Sequence, residues 1–132
     1  GTISLFAAKK AKHVTGVELI EDAVSDANYN ASLNHMDNVR FVCDDAETFM
    51  ASNHAHFDIV IVDPPRDGLQ LSFIEAIKVT KPKKVVYISC EPSSLARDLK
   101  ELKTLFHVKK VVPVDMFSQT YHVESVTLLE LK

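Results

Sequence analysis

Two short stretches of this sequence carry residue types that could do chemistry. In DIVIVDPPRDG, Asp58 to Gly68, an apolar run ends in Asp63, two prolines and Arg66. In ISCEP, Ile88 to Pro92, a second apolar run ends in Cys90. A carboxylate leaving a buried strand can accept hydrogen bonds from a ligand. Pro64 and Pro65 fix φ and remove two backbone donors, so the sheet cannot continue through them. A stiff shelf with free carbonyls is expected there; the plain structural alternative is a rigid turn with Asp63 paired to Arg66. Cys90 leads directly into Glu91 and Pro92, and a proline there marks a helix start. A thiol facing a helix N-terminus has its thiolate favoured, and a thiolate suits nucleophilic catalysis. Glu91 works against that, so modest activation is expected. The alternative is that Cys90 is a small buried hydrophobe.

The elements that must position these residues alternate between helix and strand. TISLFAAKKA opens the chain as a helix, with Ile3, Leu5, Phe6 and Ala7 on or near one face. HVTGVEL, His13 to Leu19, is a β-branched strand. A helix follows from Ile20, with Glu21 and Asp22 in its first turn, where acids suit the helix dipole. Ile20, Val24, Ala27 and Ala31 give it an apolar stripe. NVRFVC, Asn38 to Cys43, is the next strand, and FDIVIVD, Phe57 to Asp63, the one after. The unbroken apolar run of the latter predicts a parallel strand covered on both faces. Leu71, Ile74 and Ile77 mark a helix, KVVYISC from Lys84 to Cys90 a buried strand, and Leu95, Leu99, Leu102 and Phe106 another helix. Two closing strands, near Lys109 to Met116 and His122 to Leu131, have no helix pattern between them and are expected to pair antiparallel at the sheet edge.

Repeated strand–helix–strand units predict an α/β fold with a doubly wound parallel sheet. Ligands of such sheets bind outside the carboxyl ends of the strands. Those ends carry Glu18, then Cys43 with Asp44 and Asp45, then Asp63, then Cys90. Glu18 can accept hydrogen bonds from both ribose hydroxyls of a nucleotide-like cofactor. Asp45 is placed to reach an adenine amino group, with Asp44 as its competitor. A dinucleotide-type fold also needs a first strand and a glycine-rich turn before its first helix. The chain has three glycines and no GxGxxG, and it opens on a helix after Gly1. A first strand is therefore expected to be missing from these residues.

Composition sets the frame. The 132 residues suffice for one domain with a core; 46% are apolar and 25% charged. No apolar run approaches the roughly 20 residues of a membrane span, and no signal-peptide pattern stands at the start. Cys43 and Cys90 have neither metal-type spacing nor a disulfide framework, so a cytoplasmic, reduced protein without metal or membrane is expected. The six histidines are scattered, and His54 and His56 sit in a polar loop rather than a ligand set. A net charge of −3 argues against this piece binding nucleic acid by itself, since phosphate contacts need clustered lysine and arginine. The local lysine clusters read as solvated turns.

Taken together, DPPRDGL, VVYISCEPSSLARDL and DMFSQTYHVESVTLLEL resemble the RNA uracil-C5 methyltransferases, the S-adenosylmethionine-dependent group that makes 5-methyluridine in tRNA and rRNA. The resemblance covers nearly the whole chain. It implies a Rossmann-like class I S-adenosylmethionine-dependent methyltransferase sheet with an antiparallel C-terminal hairpin. It implies that Cys90 adds to C6 of the uracil and that Glu124, in HVES, removes the C5 proton. It implies cofactor contacts from Thr2, Glu18, Asp45 and Asp63, and it prefers Asp45 to Asp44 through DAE. RNA is the implied partner, through the full-length protein. Ser118 departs from the proline common before the histidine-bearing loop. The family's first-strand motif and its RNA-binding N-terminal domain are absent, so this chain alone is expected to be inactive. The main rival is an amino-methyltransferase of the Asp-Pro-Pro type. Arg66 stands where those enzymes place a stacking aromatic, and Cys90 also argues against them. RNA cytosine-C5 methyltransferases carry a cysteine in the strand-four motif, where DPPRDG has none. A non-enzymatic Rossmann-like module with a structural Cys90 is the last alternative.

Overall fold

The computed structural model describes residues 1–52 and 56–132. His54 lies outside the described residues. Gly1–Ser52 makes one compact unit and the described residues after it a second.

The first unit runs α1 (Thr2–Ala8), β1 (Val14–Glu18), α2 (Glu21–Leu33), β2 (Val39–Cys43) and α3 (Ala46–Ser52). β1 and β2 are parallel, in register from Val14↔Val39 to Glu18↔Cys43, so their carboxyl ends finish level. Its buried apolar residues are Ala8, Ala27, Ala31, Phe49 and Met50. Small residues dominate because elements approach closely: a Cβ on Gly16 would stand 2.6 Å from the Phe41 ring. Two expectations are corrected here. Phe6 is 73% and Ile20 61% exposed, so the apolar faces of α1 and α2 are narrower than their spacing suggests. Helix α3 is absent from the sequence-derived element order, because its buried apolar residues, Phe49 and Met50, are adjacent and mark no helical stripe.

The second unit runs β3 (Ile59–Val62), α4 (Leu71–Thr80), β4 (Lys84–Ser89), α5 (Pro92–Leu102), β5 (Phe106–Val114) and β6 (Glu124–Leu131). Its sheet has the order β3-β4-β6-β5; β3 and β4 are parallel, and β6 is antiparallel to both its neighbours. The closing hairpin is as expected, but of its two strands β6 is internal and only β5 lies at an edge of this sheet. β5 also begins earlier than its pattern suggests. Phe106 is a fully buried strand residue paired with Leu131, not the last apolar position of α5. The helix stops at Leu102, and a turn carries the chain into β5.

One face of this sheet is the core. Val60 and Val62, then Val85 and Tyr87, then Thr127 and Leu129 lie on it across three strands, with Phe73, Ile74 and Ile77 of α4 and Leu95 and Leu102 of α5 also buried. The other face is less covered: Ile59 is 52% and Ile61 40% exposed. β3 is thus covered on one face, not two. An unbroken apolar run does not distinguish the cases, because alternate residues point to opposite faces whatever covers them. α4 ends at Lys81 in the left-handed region, φ 48°, followed by buried Pro82, which cannot continue a helix.

Candidate active site

In the second unit the strand topology brings three of the predicted residues to one end of the sheet. Asp63 follows β3 and Cys90 follows β4, and these strands run parallel. β4 and β6 pair up to Ser89↔Ser125, so Cys90 and Glu124 are the next positions on neighbouring strands.

Cys90 sits on a strand-to-helix elbow. The Ser89 hydroxyl donates to the Glu91 carbonyl at 2.9 Å and accepts from the Glu91 amide at 3.0 Å, which closes the backbone around the cysteine. Glu91 is the N-cap of α5, and its carboxylate accepts from the Ser93 amide at 3.3 Å and the Ser93 hydroxyl at 2.9 Å. Those two bonds, then the charges of His122 and Arg66, hold its carboxyl below the ordinary value. The acid beside Cys90 is therefore engaged with the helix start that it caps.

Asp63 makes no ion pair among the described residues, so the turn alternative, with Arg66 paired to it, does not describe this site. Partial burial raises its carboxyl above the ordinary range. Arg66 instead approaches His122, with Nη2 3.5 Å from Nε2. His122 is two residues before Glu124, so the loop after β3 and the start of β6 meet at the same end of the sheet.

Behind this end lies a network that the sequence reading did not identify. Asp98 of α5 is 1% exposed. Its Oδ2 accepts from the Tyr87 hydroxyl at 2.7 Å and the Leu69 amide at 2.8 Å. Its Oδ1 accepts from Arg97 Nε at 2.9 Å and Nη2 at 2.8 Å. Burial, then the bond to Asp98, pushes the Tyr87 hydroxyl far above its usual range, so it stays a proton donor. A signal for Asp98 exists in the sequence. It stands on the helix face of Leu95, Leu99 and Leu102, three residues after the first, where a carboxylate has no place unless it is hydrogen-bonded.

In the first unit, Glu18 ends β1 and Asp45 lies two residues beyond β2. Each uses one oxygen locally. Glu18 Oε1 accepts from the Ile20 amide at 3.2 Å. Asp45 Oδ1 accepts from the Thr48 amide at 2.9 Å and hydroxyl at 3.2 Å, the pattern of a helix N-cap for α3. The second oxygen of each has no partner among the described residues and is free to accept from a ligand. Asp44 Oδ1 accepts from the Asp45 amide at 2.8 Å. Thr2 is the exposed first residue of α1. Among the described residues no group of three or more His, Cys, Asp or Glu could hold a metal ion, and no helix is long and apolar enough to cross a membrane.

Comparison with known proteins bears on this arrangement. A family model described as tRNA (Uracil-5-)-methyltransferase matches residues 1–132. An uncharacterized RNA methyltransferase of Streptococcus mutans is 53% identical over 133 residues, which cover 98% of this chain and 30% of that protein. The crystal structure of a Pyrococcus abyssi tRNA (uracil-54, C5)-methyltransferase, in complex with S-adenosyl-L-homocysteine, superposes with a TM-score of 0.85 at 35% identity over 98% of this chain and 31% of that one. TrmN from Thermus thermophilus shares the fold, with a TM-score of 0.79 at 21% identity over 100% of this chain and 41% of its own. The fold is thus the Rossmann-like one of S-adenosylmethionine-dependent methyltransferases. The chain spans about 30% of the length of the curated relatives it matches.

Proposed function

We propose, given that this chain belongs to the tRNA (uracil-5-)-methyltransferase family, that it carries the reacting residues of an RNA methyltransferase acting on C5 of a uridine in tRNA or rRNA, in the cytoplasm. Cys90 is the nucleophile. Its thiolate adds to C6 of the uracil, which makes C5 electron-rich enough to be alkylated. Bound S-adenosylmethionine supplies the methyl group. Glu124 then takes the C5 proton, the C6–S bond breaks, and the Cys90 thiolate is released. Asp63 in the second unit, and Thr2, Glu18 and Asp45 in the first, are the proposed cofactor contacts. Glu18 and Asp45 suit ribose hydroxyls and an adenine amino group, because each keeps an oxygen without a partner among the described residues at a strand's carboxyl end.

The observation that carries this reading is the register of β4 and β6. It sets a thiol and a carboxylate on adjacent strand ends, which is where an addition–elimination at neighbouring carbons needs a nucleophile and a base. The activity is proposed of the whole protein, and this chain alone is expected not to methylate RNA. The test is an RNA carrying 5-fluorouridine, which has no C5 proton to lose and so holds the covalent intermediate. The protein carrying this chain is expected to form an adduct stable to denaturation, and Cys90→Ala to form none. An adduct that survives Cys90→Ala ends the proposal.

A further inference from the structure

The Arg97–Asp98 network does more than fill the core: it binds a specific piece of the loop that follows β3. Besides the Leu69 amide held by Asp98, Arg97 Nη2 donates to the Asp67 carbonyl at 2.6 Å. Gly68 between them has φ +79°, and a Cβ there would stand 2.5 Å from Asp98 Oδ2. Three consecutive residues of the loop are thus clasped against α5, the helix that begins two residues after Cys90. The Gly68 amide in turn donates to the Pro65 carbonyl at 2.9 Å, so the clasp reaches back to the prolines. Arg66 lies between the clasped residues and the prolines, and its guanidinium faces His122. It also acts electrostatically on Glu91, the neighbour of Cys90.

We propose that Arg97 and Asp98 are positioning residues that fix the loop from which the Arg66 guanidinium reaches His122, a cation at the end of the sheet that carries Cys90, where an anionic nucleotide arrives. This rests on the uridine reading for its substrate, but the geometry concerns this chain alone. A loop residue left to itself samples many directions. Here both backbone neighbours of Arg66 are restrained, one by proline and one by the clasp, so the side chain starts from a fixed point and its approach to His122 sets where its charge lies. Localisation matters because a misplaced group near a reacting atom costs large factors in rate.

The test is charge-selective alkylation of Cys90, read by mass spectrometry of its peptide in the protein carrying this chain. A cation beside the thiolate speeds iodoacetate relative to neutral iodoacetamide. Arg66→Gln is expected to lower that ratio by about threefold, the size of one screened charge contact. Arg97→Gln is expected to lower it by a similar factor, Arg97→Lys by less, and the double variant by no more than Arg66→Gln alone. A merely structural Arg97 would slow or speed both reagents alike and leave the ratio unmoved, which would overturn the proposal. So would independent, multiplying effects in the double variant. Arg97 is 58% exposed, so its variants are expected to fold. The same five proteins are then offered 5-fluorouridine RNA. If the alkylation pattern holds but the wild type forms no adduct, the positioning role stands and the uridine reading fails.

Discussion

The two units of this chain hold their strand-end acids in different ways. In the first, Glu18 and Asp45 are anchored within three residues of themselves, to the Ile20 amide and to Thr48. In the second, the loop after β3 is anchored by residues about thirty positions away, through Asp98 and Arg97 of α5. The first unit has two strands and a core of small residues, while the second has four strands, a fully buried Tyr87 and Phe106, and a buried carboxylate. The contrast follows from the tasks proposed for them. Hydrogen-bonding a cofactor's hydroxyl and amino groups tolerates local adjustment, whereas a covalent step needs reacting groups fixed to within a fraction of an ångström.

The largest expected difference lies in the buried network. Asp98→Ala strands the Tyr87 hydroxyl and the Leu69 amide and leaves Arg97 without its carboxylate. About 3–5 kcal/mol of stability is expected to go, against about 1 kcal/mol for removing the exposed cap of the first unit with Asp45→Ala. Urea unfolding of both variants measures this. Equal losses would erase the contrast between the units.

The glycines sharpen it next. Gly68→Ala meets both a left-handed backbone and an immovable carboxylate, and about 2–3 kcal/mol is expected. Gly16→Ala crowds the Phe41 ring and the Ser4 hydroxyl, at 2.6 and 2.8 Å. Those are side-chain atoms that can shift, so about 1–2 kcal/mol is expected, from overpacking alone. Thermal unfolding gives the order, and a larger loss at Gly16 would reverse it.

Hydrogen exchange offers a broader comparison. Amides of β1 and β2 are expected to exchange about tenfold faster or more than those of β4 and β6, because a two-stranded sheet is marginal by itself. Comparable protection would show that the first unit draws stability from a source other than its own sheet.

The smallest effect is one of pH. The Glu91 carboxyl is lowered from 4.5 on folding, so the stability it contributes is present above that value and is lost as pH falls through it. Asp63 is raised from 3.8 and has the opposite sign, favouring the folded state when protonated and opposing it as pH rises through that range. Glu91→Gln is therefore expected to flatten the acid limb of a stability–pH curve, and Asp63→Asn to steepen it. Identical limbs in both variants would contradict these assignments.

Much of the fold was legible because local rules and global packing agree. Acids at Glu21 and Asp22, Pro92 after a buried strand, and the lack of any helical spacing between the two closing strands each name their element without help. The failures share a cause. Phe106 fits a helical period equally well as a strand residue, and which one holds depends on Leu131 across the sheet. Helix α3 is set by Asp45 capping Thr48, a bond between two polar residues that leaves no hydrophobic signature. Ile59 and Ile61 look like core residues in sequence, and their exposure depends on what lies against the sheet.

The sequence by itself determined the chemistry on offer: a thiol at a strand end, a carboxylate before two prolines, acids after two further strands, and motifs that together specify a uracil methyltransferase family. Those are properties of residue type and short spacing, which survive without coordinates. Tertiary structure alone decided which of them meet. Pairing of β4 with β6 set Glu124 beside Cys90 across more than thirty residues, and Asp98 joined α5 to a loop that sequence could only describe as a turn. Long-range pairing is decided by the summed packing of a whole sheet and its helices, and no local pattern encodes that sum.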